Sequence, residues 1–171
     1  MSFRLYAVAA TDDNNGIGRD GKLLARVSED MKWFRRLTEG GTVIMGHNTL
    51  LSFPGSRPLK NRRNIVFSRD PGLTIEGAEV VHSMKELFKS LNGDAFVIGG
   101  GKIYRMLVPF CDSVYITKYR RSFRSDTFFP ELRESDGWYL SGISGSFVTG
   151  EEDDPPGMLC DFLIYRRRYQ T

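Results

Sequence analysis

Short apolar runs rich in β-branched residues recur along the chain, separated by glycine, proline and polar residues. Runs of this length and composition predict strands, most of them buried. They are expected at 5–10, 42–45, 64–68, 79–82, 95–98 and 113–119. Two longer antiparallel strands are expected at about 139–147 and 159–168, joined by an exposed acidic turn at 151–157.

Apolar residues at helical spacing over Ser28–Thr38 predict an amphipathic helix, with Ser28 as its N-cap. Shorter helices are expected from Gly46 through Leu51, from an N-cap at Ser83 through Leu91, and over Lys102–Leu107. The segments rich in Gly, Asn, Asp or Pro are expected to be loops, at 12–22 and 53–63. Strands that alternate with helices over 171 residues predict one α/β domain.

The composition narrows the class of protein. Hydrophobic residues make up 40% and charged residues 26%, which is ordinary for a folded domain and argues against disorder. The net charge is 24 − 21 = +3, too small to indicate nucleic-acid binding but compatible with an anionic small molecule. Arg166, Arg167 and Arg168 lie on a predicted strand, where they alternate between faces and form no continuous patch. No nucleic-acid partner is expected.

Two cysteines, Cys111 and Cys160, indicate reduced thiols rather than a disulfide framework. No metal-ligand spacing is present, and no metal is expected. No apolar run reaches membrane length, and the first residues lack the layout of a secretory signal. These patterns predict a cytoplasmic protein without a membrane partner.

One carboxylate falls on the apolar side of the predicted helix 28–38. Asp30 lies among Val27, Met31, Trp33, Phe34 and Leu37 on a helical wheel. A buried carboxylate must be paired, protonated or used, and burial would raise its pKa and suit it to proton transfer. The alternative is structural, because an acid in the first turn also favours the helix dipole. This feature alone leaves both interpretations open.

Two turns from strand to helix suit the binding of phosphates. In the first, the predicted strand 95–98 runs into Gly99, Gly100 and Gly101, where the backbone can approach an anion at a helix N-terminus. Tyr104 occupies the third glycine position of the dinucleotide fingerprint, so a crossover without a ligand stays open. The second turn, 44–49, has the same form. Two such turns suit a long cofactor with several phosphates.

Arg57 and Arg62 lie in the Pro-rich loop before a predicted strand. A guanidinium is well suited to binding a carboxylate, and the alternative is a solvated loop charge. His47 and His82 are expected to be ordinary turn or surface histidines.

In their order along the chain, these motifs resemble the dihydrofolate reductase family. The matching segments are Ala9-Ala10, Gly16-Ile17-Gly18, Glu29–Phe34, Val43–Gly46 with Asn48-Thr49, Arg57-Pro58-Leu59 with Arg62 and Asn64–Val66, Val97–Gly101 with Ile103-Tyr104, Val114–Thr117 and Asp126–Pro130. The resemblance extends from Leu5 to Arg167. It implies a mainly parallel central sheet flanked by helices, with one antiparallel edge strand at the C-terminus.

The resemblance also implies a reaction and a set of site residues. The family reduces 7,8-dihydrofolate to tetrahydrofolate with NADPH, passing hydride to pterin C6 while Asp30 would assist protonation of N5. Substrate contacts would come from Tyr6, Ala7, Val8, Asp30, Met31, Phe34, Arg57, Arg62, Ile98 and Thr117, with Arg62 on the α-carboxylate of the glutamate tail. Cofactor contacts would come from Val8, Ile17, Gly18, His47, Asn48, Thr49, Ser68, Arg69, Gly99, Gly100, Gly101, Lys102, Ile103 and Tyr104. A monomer is expected.

The chain departs from the family pattern at a few positions. Leu24 and Ala25 stand where a Pro-Trp pair is usual, and the indole of that pair helps to fix a water near the pterin. His47 stands where an arginine or lysine often binds the cofactor's 2′-phosphate, a task that Arg69 and Lys102 would share. Two alternatives follow. One is a related reductase on the same fold, such as the pyrimidine reductase of riboflavin synthesis, and the other is a non-catalytic binding protein for folate or a nucleotide.

Overall fold

The computed structural model describes residues Ser2–Tyr169. Its strands are β1 (Leu5–Thr11), β2 (Gly16–Arg19), β3 (Lys22–Leu23), β4 (Thr42–Gly46), β5 (Arg63–Phe67), β6 (Ala78–Val81), β7 (Ala95–Gly99), β8 (Ser113–Tyr119), β9 (Thr127–Phe128), β10 (Trp138–Val148) and β11 (Leu159–Arg167). Its α-helices are α1 (Ser28–Thr38), α2 (His47–Leu51), α3 (Met84–Ser90) and α4 (Gly101–Leu107), and single 3₁₀ turns lie at Pro54–Ser56, Val108–Phe110 and Glu134–Asp136. The predicted strands and helices are confirmed within one residue at each end.

Eight strands form the central sheet, in the order β10-β11-β8-β1-β7-β4-β5-β6. The pairs from β8 to β6 are all parallel, as expected where helices connect successive strands. Strand β11 runs antiparallel to both of its neighbours, β8 and β10. The predicted mainly parallel sheet with one antiparallel strand at the C-terminus is thus confirmed. The antiparallel strand β11 lies second from the edge, because β10 forms the edge itself.

The segment 12–22 is not a loop throughout, as its composition had predicted. Strand β2 pairs antiparallel with β3 and with β9 in a separate three-stranded sheet. The buried carboxylate of Asp12 accepts hydrogen bonds from the amides of Asn14, Gly16 and Phe123 at 2.7–2.9 Å. These bonds fix the turn that precedes β2 and tie it to the segment before β9. The pairing of β2 with β9 therefore depends on a contact more than a hundred positions away in sequence, which local composition does not encode.

The two faces of the central sheet bury different clusters. One face packs against α3 and α4, where Leu87, Ile103 and Leu107 meet the odd-numbered residues of β1. The other face packs against α1 and α2. There Trp33 of α1 lies with its ring centroid 4.2 Å from that of Phe162 on β11. No helix among residues 2–169 is both long enough and apolar enough to span a membrane.

Candidate active site

Helix α1 places Asp30 in its first turn, on the side that meets the sheet. The predicted N-cap was wrong: Val27, not Ser28, is the N-cap residue, with extended φ −126° and ψ 113°. Val27 is buried against Tyr119 and Cys160, and this packing draws Ser28 into the helix as its first residue. The N–H of Ser28 is instead satisfied from outside, by Asp153 Oδ1 at 2.9 Å.

The carboxyl group of Asp30 is held by two hydroxyls of strand β8. Thr117 Oγ1 donates to Oδ1 at 2.5 Å, and the Tyr119 hydroxyl donates to Oδ2 at 3.4 Å. Thr117 and Tyr119 are two residues apart and therefore point to the same face of the sheet. Burial raises the pKa of Asp30 above its usual value, and the two hydrogen bonds oppose that rise.

No ion pair among the described residues involves Asp30. Its half-buried carboxyl, with its raised pKa, is therefore disposed toward protonation rather than neutralised by a neighbouring cation. The nearby carboxylate of Asp153 behaves in the opposite way. Hydrogen bonds from the amides of Ser28 and Gly150 lower the pKa of Asp153 and keep it ionised. Carboxyl groups whose environments push their pKa values apart are typical of sites that handle protons.

Arg62 is fixed at the other end of α1. Its Nη1 donates to Thr38 Oγ1 at 3.1 Å and its Nε donates to the Lys60 carbonyl at 2.9 Å. The guanidinium lies 5.9 Å from the centroid of the Phe34 ring. Burial and the neighbouring Arg35 charge lower the pKa of Arg62. A desolvated guanidinium beside a second arginine provides a site for an anion.

Other predicted substrate residues lie in different places. Tyr6 stacks on Phe96 with ring centroids 5.3 Å apart, on the face of the sheet that meets α1. Ala7 is fully buried in the cluster that meets α4, so its side chain points away from Asp30. Ala10 is the alanine of β1 on the side of Asp30, packed with Val27 and Tyr119. The alternation of side chains along a strand could have distinguished these two alanines.

Met31 and Arg57 are exposed, whereas Val8 is buried and Ile98 is half-buried. Met31 remains 61% exposed although the helical wheel grouped it with the buried face of α1. The apolar face of α1 is broader than the part that packs on the sheet, so Met31 is left at the side of that contact.

At the carboxyl ends of β4 and β7, the backbone around Gly46 and Gly99–Gly101 forms a surface that an anion could approach, called the cradle below. Gly99 has φ +128°, a conformation that residues with a side chain rarely adopt. A Cβ on Gly100 would lie 3.3 Å from Thr49 Oγ1, and a Cβ on Gly46 would lie 3.1 Å from Ile103 Cγ1. The N-termini of α2 and α4 have no side-chain cap, which leaves their first amides available to an anion.

The residues that follow β5 extend this cradle along the sheet edge. Ser68 and Arg69 come directly after β5, which is the neighbour of β4 in the sheet. His82 follows β6, and its Nδ1 lies 2.8 Å from the Ser68 carbonyl oxygen. His47 opens α2 at the end of β4. Carboxyl ends of neighbouring parallel strands are where α/β sheets bind nucleotides, so the donor groups present fit a dinucleotide with several phosphates.

Of the remaining predicted cofactor residues, some are buried and others are exposed. Ile103 and Tyr104 are buried, and the Tyr104 hydroxyl donates to the Val8 carbonyl at 2.6 Å. Burial raises the pKa of Tyr104. Lys102 and Asn48 are exposed beside the cradle. Tyr104 thus fixes the turn after β7 to strand β1 rather than presenting its hydroxyl to solvent.

Residues 4–167 match the family model for dihydrofolate reductase. The chain belongs to the dihydrofolate reductase family. Similar proteins include the dihydrofolate reductase of Bacillus subtilis strain 168, 36% identical over 94% of this chain and 93% of that protein. The dihydrofolate reductase of Staphylococcus aureus is 33% identical over 82% of this chain and 87% of that protein. The fold is similar to that of dihydrofolate reductase from Enterococcus faecalis complexed with NADP(H) and RAB-propyl, with a TM-score of 0.87, 32% identity and 97% coverage of both chains.

Family membership over nearly the whole chain confirms the predicted activity. The protein is an oxidoreductase that reduces dihydrofolate to tetrahydrofolate with NADPH. The alternatives, a pyrimidine reductase on the same fold and a non-catalytic binding protein, are not supported.

Two groups around Asp30 were not predicted from the sequence. Tyr119 donates to Asp30, and it follows Thr117 by two residues on β8, which is a signal that strand alternation provides. Asp153 binds the first amide of α1 from the turn after β10. No local pattern points to Asp153, because its partner lies 125 positions away.

Two of the predicted cofactor residues lie in the small three-stranded sheet. Ile17 and Gly18 belong to β2, and Ile17 packs against the main core cluster. The Asp126 amide donates to the Gly18 carbonyl at 3.1 Å, and Asp126 Oδ2 accepts from the Asp20 amide at 2.9 Å. Strand β2 is therefore held beside the rest of the molecule through its backbone.

Proposed function

We propose that Asp30 is the acid at the substrate site of this dihydrofolate reductase. The observation that carries the proposal is its environment: a half-buried carboxyl with a raised pKa, hydrogen-bonded to Thr117 and Tyr119 and engaged in none of the ion pairs seen across residues 2–169. A carboxyl with a raised pKa can hold a proton at a higher pH than an ordinary aspartate and then release it. Asp30 would hold the amino and N3 edge of the pterin and help deliver a proton to N5.

The two hydroxyls of β8 have different tasks in this proposal. Thr117 fixes Oδ1 through the short hydrogen bond and so sets the orientation of the carboxyl plane. Tyr119 contacts Oδ2 over a longer distance and stabilises the ionised form. The hydroxyl of Tyr119 is deeply buried, so it acts in an environment from which water is largely excluded.

The glutamate tail of the substrate would extend along α1 toward Arg62. The fixed guanidinium of Arg62 offers a charge-assisted hydrogen bond to the α-carboxylate. Phe34, below that guanidinium, and the exposed side chain of Met31 would cover the middle of the substrate. Arg57 is exposed nearby in the chain and would add long-range attraction. The inner end of the pocket would involve Tyr6, Val8 and Ile98.

The cofactor would lie along the carboxyl ends of β4, β5 and β7, and NADPH supplies the hydride when it is bound. The related enterococcal enzyme was solved as a complex with NADP(H), which supports this assignment. Backbone amides at Gly99, Gly100 and Gly101 would hold phosphate oxygens, together with Thr49. Ser68 and Arg69, with His47 and Lys102, would hold the adenosine end. Ile17 and Gly18 of β2 would cover the nicotinamide.

We also propose that this reductase acts as a monomeric, single-domain cytoplasmic enzyme. One continuous sheet of eight strands supports a single domain. The free, buried thiols of Cys111 and Cys160 are compatible with a reducing compartment. Light scattering at assay concentration tests the monomer, and a mass of twice 19.4 kDa would contradict it.

The experiment that tests the role of Asp30 is NADPH oxidation with dihydrofolate by the wild type and by Asp30→Asn. We expect turnover to fall by roughly a hundredfold or more near neutral pH, the range typical for loss of a general acid. Glu29→Gln is the matched control, because Glu29 is an acid of the same helical turn paired at the surface with Lys32. Normal turnover by a folded Asp30→Asn protein would contradict the proposal.

A stability measurement separates loss of chemistry from loss of fold. The pKa of Asp30 is raised by folding, so its protonated form stabilises the fold at acid pH and that contribution is lost as pH rises through the raised pKa. Asp30→Asn should therefore be at least as stable as the wild type at neutral pH, and thermal unfolding checks this. An unfolded Asp30→Asn protein would show instead that the carboxylate is structural.

A further inference from the structure

A cavity of about 210 Å³ opens on the face of the central sheet opposite Asp30. Its floor is made by Ile116 of β8 and Leu163 of β11, which are directly paired across the two strands. Phe129 and Leu132, from the segment after β9, form an apolar wall. Since a cavity of about 150 Å³ holds benzene, this space accommodates a small aromatic molecule with a polar substituent.

One positive charge lines this cavity, whose walls combine apolar side chains with the polar Thr11, Asn15 and Glu131. Lys118 of β8 is half-buried, and its ammonium lies 3.5 Å from Thr11 Oγ1 and 3.4 Å from Asn15 Oδ1. Both partners are neutral oxygens at the limit of hydrogen-bond distance. No ion pair in the described part of the chain includes Lys118. Burial lowers the pKa of its ammonium, the cost of a desolvated charge without a close counterion.

Two carboxylates close to Lys118 are engaged elsewhere. Asp161 lies directly opposite Lys118 across β8 and β11, but its carboxylate is bound by Arg120 at 2.7 Å and by Ser146. Asp12 is occupied by three backbone amides. Asp13 attracts the ammonium but is exposed to solvent. Lys118 thus lines the cavity without a close counterion, beside the apolar side chains of the cavity wall.

We infer that this cavity is a binding site for a small aromatic carboxylate, with Lys118 as its anion-binding residue. The carboxylate would pair with the ammonium, and the ring would contact Ile116, Phe129 and Leu163. Glu131 lines the cavity as well and is exposed, so its negative charge opposes an incoming anion. The site is separate from the substrate cleft, because Thr117 faces Asp30 while the adjacent Lys118 faces the opposite side of the sheet.

The test is titration of the wild-type enzyme, saturated with NADPH, with benzoate and with benzyl alcohol, followed by amide chemical shifts. Shifts at Thr11, Ile116 and Phe129 report the cavity, so binding of benzoate at Arg62 does not confuse the result. We expect benzoate to saturate these shifts with a Kd on the order of a millimolar, as for a ligand of this size. Benzyl alcohol, matched in shape but uncharged, should bind roughly tenfold more weakly.

Two variants should change benzoate binding in opposite directions, and a third serves as the control. Lys118→Gln should abolish the preference for benzoate, and Glu131→Gln should tighten benzoate binding severalfold by removing the opposing charge. Lys85→Gln is the control, since Lys85 is an exposed lysine of α3, away from the cavity. Equal binding of benzoate and benzyl alcohol would overturn the inference, as would wild-type benzoate affinity in Lys118→Gln or the absence of cavity shifts in the wild type.

Discussion

The two sides of the proposed active site are built from different parts of the polypeptide. On the acid side, side chains of α1 and β8 converge on the half-buried carboxyl of Asp30, through hydrogen bonds from Thr117 and Tyr119. On the cofactor side, backbone at the ends of β4 and β7 approaches closely enough that side chains at Gly46 and Gly100 would meet their neighbours at 3.1 and 3.3 Å. The acid side depends on carboxyl and hydroxyl groups. The cofactor side depends on glycines, because a side chain at these positions would prevent the close approach of the backbone.

This difference predicts which substitutions each side tolerates. The acid side should respond to changes that remove a hydroxyl or a charge while conserving volume. The cofactor side should respond to any added side chain, even a single methyl group. The backbone must then move, and its N–H donors lose contact with the cofactor. Substitutions on one side should leave the binding constant measured on the other side nearly unchanged, since their residues share no hydrogen bonds.

The largest effect after loss of Asp30 is expected at Gly99. Its φ of +128° strains any residue with a Cβ, at a cost of about 1–3 kcal/mol. Gly99→Ala should weaken NADPH binding by about 5- to 150-fold, with little change in binding of substrate to the free enzyme. Fluorescence titration with NADPH measures the change. Gly93→Ala is the control because nothing lies within 4 Å of a Cβ there, and an equal loss in both variants would refute the assignment.

Thr117→Val tests the acid side with a change of nearly constant volume. Loss of a hydrogen bond to a carboxyl group costs about 1.5–3 kcal/mol, so kcat/KM for dihydrofolate should fall roughly 10- to 100-fold. The pKa of Asp30 should rise further, because the bond from Thr117 lowers it. Thr117→Ser should restore most of the activity. NADPH affinity should stay close to that of the wild type, and a loss of cofactor binding would show that the two sides are coupled.

Asp153→Asn tests how much the hydrogen bond from the Ser28 amide to Asp153 stabilises the helix that carries Asp30. The pKa of Asp153 is lowered by folding, so its stabilising contribution is complete above the ordinary range of an aspartate and is lost as pH falls through the lowered pKa. The variant should therefore have a lower Tm than the wild type at neutral pH, and the difference should vanish in acid. Asp154→Asn is the matched control, since the Asp154 side chain is exposed. A pH-independent difference would argue against an ionised capping carboxylate.

The smallest effect is expected for Tyr119→Phe. The hydroxyl of Tyr119 lowers the pKa of Asp30 through a bond of 3.4 Å, which is long and correspondingly weak. Removing that hydroxyl should shift the pH profile of turnover slightly toward higher pH, with little change in NADPH affinity. Tyr115→Phe is the control on the same strand and face. An unchanged profile would show that Thr117 alone tunes the acid.

Much of the fold follows from local patterns. Apolar periodicity located every strand of the central sheet and the helices between them, because each buried face repeats with the period of its element. The strands β2, β3 and β9 were missed. Strands β2 and β3 form a very short local hairpin, whereas β2 and β9 are distant in sequence and are tied together by the Asp12 carboxylate and the Phe123 amide. Composition alone makes such a segment resemble a loop.

The site was predicted unevenly for a related reason. Asp30 stood out because a charge on an apolar helix face is costly, and the glycines stood out because of their special backbone freedom. Asp153 was missed because the amide that links it to α1, that of Ser28, lies 125 positions away in sequence. Ser28 was wrongly taken as the N-cap because the buried packing of Val27 overrides the intrinsic preference of serine. Contacts between residues distant in sequence thus determine the local structure at positions where a short motif allows more than one.

The position of β11, second from the edge of the sheet, has a consequence for synthesis of the chain. Among residues 2–169, strand β10 has β11 as its only partner, and β8 lacks a neighbour on that side until β11 is inserted. Trp33 of α1 also packs on Phe162 of β11. A nascent chain that stops before residue 159 would therefore expose two open strand edges and the apolar face of the helix that carries Asp30. Such a chain would be a substrate for chaperones and prone to aggregation until its last strand leaves the ribosome.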